Sequence, residues 1–287
     1  MNRRREKLFA VLPTMLTLGN AACGFGAITF AAKVGPDTAG GQELVVASLL
    51  IFLAMLFDAL DGGAARLMDQ TSEFGAQLDS LCDAISFGVA PAFIMLQFIH
   101  PEHHLNLLLG ADVSLFEYSR QLLWVIGVLY VICALLRLAR FNVETDEDDS
   151  HEGFSGLPSP AAAGTVASFP IAVRGLVVYA SQPEHPVSAV AGHAITFIAM
   201  MLPLLTLAVA VLMVSRLEYA HVFNRFFRGK QSRSQLLQVV FAVPIIILMK
   251  ELTLPLIFCV FAFSAPLRTG WRQYVVPSRK RTPLDAG

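Results

Sequence analysis

Apolar runs of about 20 residues recur along the chain, each long enough to cross a hydrocarbon layer of roughly 30 Å as a helix. Eight can be drawn, near 13–33, 43–66, 77–99, 121–141, 158–180, 192–214, 235–250 and 252–270, the last two parted only by Lys250-Glu251. Charge is scarce to match: 15% of residues are Asp, Glu, Lys or Arg, against about 25% in an ordinary soluble domain. The expected fold is therefore all-α, a polytopic transmembrane bundle of about eight spans. Basic and apolar residues from Arg3 to Leu12 alternate at helical spacing, which predicts an N-terminal interfacial helix before the first span.

Lysine and arginine set the expected direction. With the N-terminus cytosolic, Arg3, Arg4, Arg5, Lys7, Arg66, Arg137, Arg140, five residues from Arg216 to Arg233 and five from Arg268 to Arg281 fall on the cytosolic side. That is 17 of 21, leaving Lys33, Arg120, Arg174 and Lys250, as the positive-inside rule requires. Both termini and the polar ends of spans two and three then face the cytosol. A net charge of −1 offers no field for nucleic acid, and none is expected as a partner. Basic residues ahead of an apolar run also suit a signal peptide, but the further spans make an uncleaved first helix the simpler reading. Cys23, Cys82, Cys133 and Cys259 lie far apart with no CxxC or Cys/His spacing, so neither disulfides nor zinc are expected.

The densest polar signal lies where spans two and three meet, in FDALDGGAARLMDQTSEFGAQLDSLCDAISFG. At 100° per residue, Asp58, Asp61, Gly62 and Ala65 fall within about a 100° arc of one helix face. Gly75, Asp79 and Asp83 recur every fourth residue and form one stripe. Two antiparallel helices turn these stripes toward each other and gather four carboxylates, whose repulsion is relieved by cations. Oxygen ligands without His or Cys point to Mg²⁺, with Mn²⁺ the alternative, and two such ions can bridge a pyrophosphate. Gly62, Ala65 and Gly75 leave room for a nucleotide or pyrophosphate to approach the backbone. A solvated helix end, or a cation pathway in a transporter, would account for any one of these aspartates but not for the set.

The pattern D-x2-D-G-x2-A-R-x8-G-x3-D-x3-D, complete here from Asp58 to Asp83, resembles the signature of the CDP-alcohol phosphatidyltransferase family. The resemblance implies transfer from a CDP-linked lipid such as CDP-diacylglycerol to an alcohol, with two divalent ions held by Asp58, Asp61, Asp79 and Asp83. Asp83 is then also the general base, and Gly62, Ala65, Arg66 and Gly75 lie along the CDP-lipid. It further implies a homodimer. The spans make 13–270 the transmembrane catalytic domain between the interfacial segment 1–12 and a cytosolic tail 271–287, in a cell membrane, a bacterial inner membrane fitting best.

Four other segments, 12–28, 79–92, 136–143 with 156–164, and 212–219, resemble bacterial and archaeal members of that family that use serine. L-serine is the expected acceptor, with glycerol 3-phosphate or an inositol phosphate as alternatives. Serine presents a carboxylate that suits arginine and an ammonium that suits an oxygen acceptor. Arg137, Arg140, Phe141 and Asn142 are the expected acceptor site, with Ser86 and Ser159 nearby. Arginines at the end of a span also act as topology determinants or headgroup contacts. Asn20, with Thr17 one turn earlier, is an amide inside span one that needs a partner: the CDP-lipid's nucleotide, a metal-bound water or a neighbouring helix.

Other polar clusters read as plain. Asp146, Glu147, Asp148 and Asp149 form a solvated acidic linker, His100, His103 and His104 lack metal-site spacing, and Arg225, Arg228, Lys230 and Arg233 suit topology or anionic lipid. Gly24-x-Gly26 opens no dinucleotide-binding pattern.

Overall fold

The structure, a computed structural model, describes residues 3–35, 41–67, 73–99, 119–146, 156–182, 184, 187–217, 219 and 252–275. Among them no strand occurs. The helices are α1 (Arg3–Ala31), α2 (Gln42–Leu67), α3 (Glu73–Asp83), a π-helical turn (Ala84–Val89), α4 (Ala90–Ile99), α5 (Arg120–Asp146), α6 (Ser159–Ala180), α7 (Ser188–Val214) and α8 (Thr253–Val275).

Among the described residues, six helical stretches are long and apolar enough to cross a bilayer: Pro13–Ala31, Gln42–Gly63, Glu73–Ile99, Arg120–Val143, Ser159–Ala180 and Ser188–Val214. They correspond to the first six expected spans, and the chain is a multi-pass membrane protein. The eighth expected span is α8, whose apolar part, Thr253–Thr269, is shorter. The run at 235–250 lies outside the described residues, as do His100, His103, His104, Glu147, Asp148, Asp149, Arg225, Arg228, Lys230, Arg233 and the tail from 276. Helix α1 continues unbroken from Arg3 through Pro13.

The interior is built from small side chains. Ala27, Ala31, Ala47, Ala54, Ala90, Ala134, Ala162, Ala163, Ala167 and Ala210 are all fully buried, and such residues let helix axes approach where apolar burial gives little drive for association in lipid. Larger apolar side chains such as Phe25, Trp124, Phe197 and Val260 point outward, as a lipid-facing surface should. Helix α2 packs on α1, α6 on α2, α7 and α8, and α5 on α7. At α6, Gly164 admits the ring of Phe258, whose Cζ stands 2.6 Å from where a Cβ would be; that ring also meets Phe52 of α2 at 5.6 Å between centroids.

The third span is not a uniform helix. Pro91 has no N–H for the carbonyl four residues back, and its ring crowds that carbonyl. The wider π turn ends at Val89, just before this proline, with the Ala90 N–H bonded five residues back to Ile85. The carbonyl in question, Phe87, receives the hydroxyl of Tyr130 instead, at 3.2 Å. Such turns often stand at functional sites, and this one follows directly on Asp83.

Candidate active site

Asp58 and Asp61 sit near the end of α2, and Asp79 lies on α3. Each offers a carboxylate oxygen within 4.8 Å of the others. Asp61 Oδ2 and Asp79 Oδ1 are buried without a hydrogen-bond partner. Oxygen atoms converging inside an apolar body, with no donor to satisfy them, fit a hard divalent cation. Gly62 borders the cluster on its open side, where a Cβ would meet nothing within 4 Å. Gly75 lies on α3, one turn before Asp79. Ala65 and Arg66 belong to the last turn of α2, and their side chains lie outside the described residues.

Asp83 is set apart from this trio. One turn beyond Asp79 and buried, it accepts a hydrogen bond from Asn20 Nδ2 at 2.9 Å. The backbone carbonyl of Asn20 in turn accepts from Ser86 Oγ at 2.9 Å. A Cβ on Gly24, one turn along α1, would stand 2.7 Å from Ser86 Cα, so the glycine is what permits the two helices to touch. Thr17 donates to the Pro13 carbonyl at 3.0 Å, a bond within its own helix. Of the partners open to Asn20, the structure gives a neighbouring helix, through Asp83.

Arg137 reaches into the bundle from α5. Its Nη1 donates to Ser159 Oγ at 2.7 Å, its Nε is buried without a partner, and Asp83 and Asp58 lie within its electrostatic reach. Ser159 is held in place by the segment before it. Gly156 adopts φ +88°, where a side chain is strained, and its N–H bonds the Leu217 carbonyl at 2.9 Å while Leu157 N–H bonds that of Leu212 at 3.0 Å. Arg140 is partly exposed and Phe141 exposed at the end of the same run. Asn142 Oδ1 accepts from Ser80 Oγ at 3.0 Å, which places it beside Asp79 by sequence.

The residue pattern did not single out Ser80, Tyr130 or Pro91. A hydroxyl next to Asp79, a tyrosine inside an apolar run and a proline in mid-span were the available signals.

A carboxylate cluster at the meeting of two helices of membrane-spanning length, with a half-buried guanidinium within electrostatic reach of Asp58, makes a site suited to a divalent metal. Residues 10–213 match the family model of CDP-alcohol phosphatidyltransferase, and the chain belongs to that family. It is similar to a CDP-diacylglycerol--serine O-phosphatidyltransferase of Mycobacterium bovis, 35% identical over 56% of this chain and 49% of the relative. An archaetidylserine synthase of Methanothermobacter thermautotrophicus is 33% identical over 77% of this chain and 75% of its own length. A CDP-diacylglycerol--serine O-phosphatidyltransferase of Helicobacter pylori is 32% identical over 53% and 54%. The chain thus spans about half the length of its mycobacterial relatives.

Proposed function

We propose that the chain transfers the phosphatidyl group of CDP-diacylglycerol to the hydroxyl of L-serine and releases CMP. The observation that carries this reading is the pairing of a three-carboxylate cluster, Asp61 buried and Asp58 and Asp79 half-buried, with Arg137, whose buried Nε is unpaired and whose charge lies within electrostatic reach of Asp83 and Asp58. The names of the serine-using relatives point the same way.

Asp58, Asp61 and Asp79 would hold divalent metal, Mg²⁺ or Mn²⁺, with Asp83 one turn away to complete the set. When bound, such ions neutralise the pyrophosphate and the charge that develops at phosphorus. The open space at Gly62 takes the CDP portion, with Ala65, Arg66 and Gly75 along it, while the acyl chains stay in lipid. Arg137 binds the serine carboxylate, and Arg140, Phe141, Asn142 and Ser86 enclose the acceptor. Asp83 takes the proton from the serine hydroxyl. That oxygen bonds to the phosphorus bearing diacylglycerol, and the bond from this phosphorus to the bridging oxygen breaks, so CMP leaves with the electron pair. The site faces the cytosol of a cell with both termini on that side, in the inner membrane of a bacterium, and the working unit is a homodimer.

The test is release of CMP by purified protein in detergent with CDP-diacylglycerol, Mg²⁺ or Mn²⁺ and each alcohol in turn. Serine alone should support it. Turnover with glycerol 3-phosphate or an inositol phosphate instead would replace the acceptor, and ion flux without CMP would replace the reaction. Asp83→Asn should lower kcat about 10²-fold to 10⁴-fold while CDP-lipid binding persists; substantial residual turnover would remove Asp83 as the base.

A further inference from the structure

We infer that Asn20 recognises the ammonium group of the acceptor through Oδ1 while its Nδ2 holds Asp83, and so sets the preference for an amino acid over other alcohols. This rests on the serine-transfer reading above. Asn20 is 0% exposed, and a buried amide is costly unless both of its ends are paired. Only one end is. Nδ2 donates to Asp83 Oδ1 at 2.9 Å, whereas Oδ1 is buried with no hydrogen-bond partner.

The orientation follows from chemistry. In the ionised form that its role as proton acceptor requires, Asp83 only accepts hydrogen bonds, so the amino end of the amide faces it, as placed, and the oxygen faces elsewhere. Turning the amide over would set two acceptors against each other. The backbone beneath it is fixed as well, by Ser86 Oγ on the Asn20 carbonyl at 2.9 Å and by the close approach at Gly24. Asn20 Oδ1 is therefore a positioned acceptor next to Asp83, and Arg137, whose buried Nε is an unpaired donor, lies within electrostatic reach of the same carboxylate.

These groups match one kind of alcohol. A β-hydroxy-α-amino acid carries a hydroxyl, an ammonium and a carboxylate on neighbouring carbons, to be met by Asp83, Asn20 Oδ1 and Arg137. Glycerol 3-phosphate offers the amide oxygen only a neutral hydroxyl, which makes a weaker hydrogen bond than an ammonium does.

The experiment compares L-serine with 3-hydroxypropionate, which keeps the hydroxyl and carboxylate and lacks the ammonium. The full chain in detergent is assayed with saturating CDP-diacylglycerol and Mg²⁺ or Mn²⁺. Each compound is measured by kcat/KM, or by its inhibition constant where turnover is undetectable. Asn20→Ala should reduce the preference for serine by about tenfold or more, mainly through the KM for serine. Asn20→Asp keeps an oxygen acceptor and adds charge, so it should hold or raise that preference while kcat falls for lack of the donor to Asp83. If both compounds weaken in step in Asn20→Ala, the residue is only structural and the inference is overturned. Should the alanine variant fail to fold, Asn20→Asp decides by itself, and a preference below that of the unmodified chain overturns it. An unmodified chain that ignores serine but uses another alcohol removes the serine reading and this inference with it, an outcome visible before any variant is made.

Discussion

The hydroxyl of Tyr130 donates to the backbone carbonyl of Phe87 at 3.2 Å, joining α5 to the π turn that follows Asp83. Tyr130 is fully buried and lies two helical turns before Arg137 on the same helix. One hydrogen bond thus ties the helix carrying the guanidinium to the segment that sets the direction of Asp83. Tyr130→Phe keeps the ring and leaves the carbonyl without its donor, at a cost of about 1 kcal/mol. A lower melting temperature in detergent and a several-fold fall in kcat, with KM for the CDP-lipid little changed, are expected. Unchanged melting and turnover would mean that the bond carries no weight in the native bundle.

The cluster of Asp58, Asp61 and Asp79 makes a prediction in which metal and stability change together. Three carboxylates within 4.8 Å repel in the absence of a cation and are joined by one when it binds. In chelator, Asp79→Asn should therefore melt at or above the temperature of the unmodified chain. On addition of Mg²⁺ or Mn²⁺ the order should reverse, because only an intact site gains binding free energy, about 2.7 kcal/mol at a hundredfold excess over Kd. Chelation should abolish CMP release, and either ion should restore it. Equal melting shifts in both proteins would place the cation elsewhere.

What the sequence carried, and what it did not, divides along a physical line. Spans follow from apolar runs because lipid forces each segment to pair its own backbone, and seven of the eight expected spans correspond to helices with shifts of a few residues, the last of them to α8, whose apolar part is shorter. The third begins at Glu73 rather than near 77, since Glu73, Gly75, Gln77 and Asp79 interrupt its first turns and weaken the hydropathy signal there. The aspartates were legible because their spacing is helical and local. The bond from Asn20 to Asp83, 63 residues apart, was not, because the rotation and depth of α1 against α3 depend on side chains of both, Gly24 among them. The π turn was hidden for a related reason. Pro91 is plain in the sequence, but the carbonyl it frees finds its donor on Tyr130, a different helix.

Arg137 can be tested by holding its charge and changing its shape. Its Nη1 is committed to Ser159 at 2.7 Å, so recognition of a carboxylate falls to the rest of the planar fork. Lysine supplies a point charge and cannot keep both contacts. Arg137→Lys should raise KM for serine about tenfold or more, with a smaller change in KM for CDP-diacylglycerol. Ser159→Ala removes the support and leaves the fork, and should have a weaker effect of the same kind. If Arg137→Lys binds serine normally but disturbs insertion or expression, the arginine serves topology instead.

Two glycines near the site give opposite expectations for the same added methyl group. At Gly24 a Cβ would lie 2.7 Å from the Cα of Ser86, and backbone cannot give way cheaply. Gly24→Ala must push α1 off the third span and loosen the Asn20 contact one turn earlier, at a cost of about 1–3 kcal/mol. Both the melting temperature and kcat should fall. At Gly62 a Cβ meets nothing within 4 Å, and alanine is the better helix former by about 1 kcal/mol, so Gly62→Ala should melt no lower than the unmodified chain. If the space above Gly62 is where the CDP portion lies, the methyl group intrudes on substrate alone, and KM for CDP-diacylglycerol should rise while stability holds. Titrating CMP release against CDP-lipid for both variants separates the two roles, and an unchanged KM in Gly62→Ala would move the nucleotide away from this face of α2.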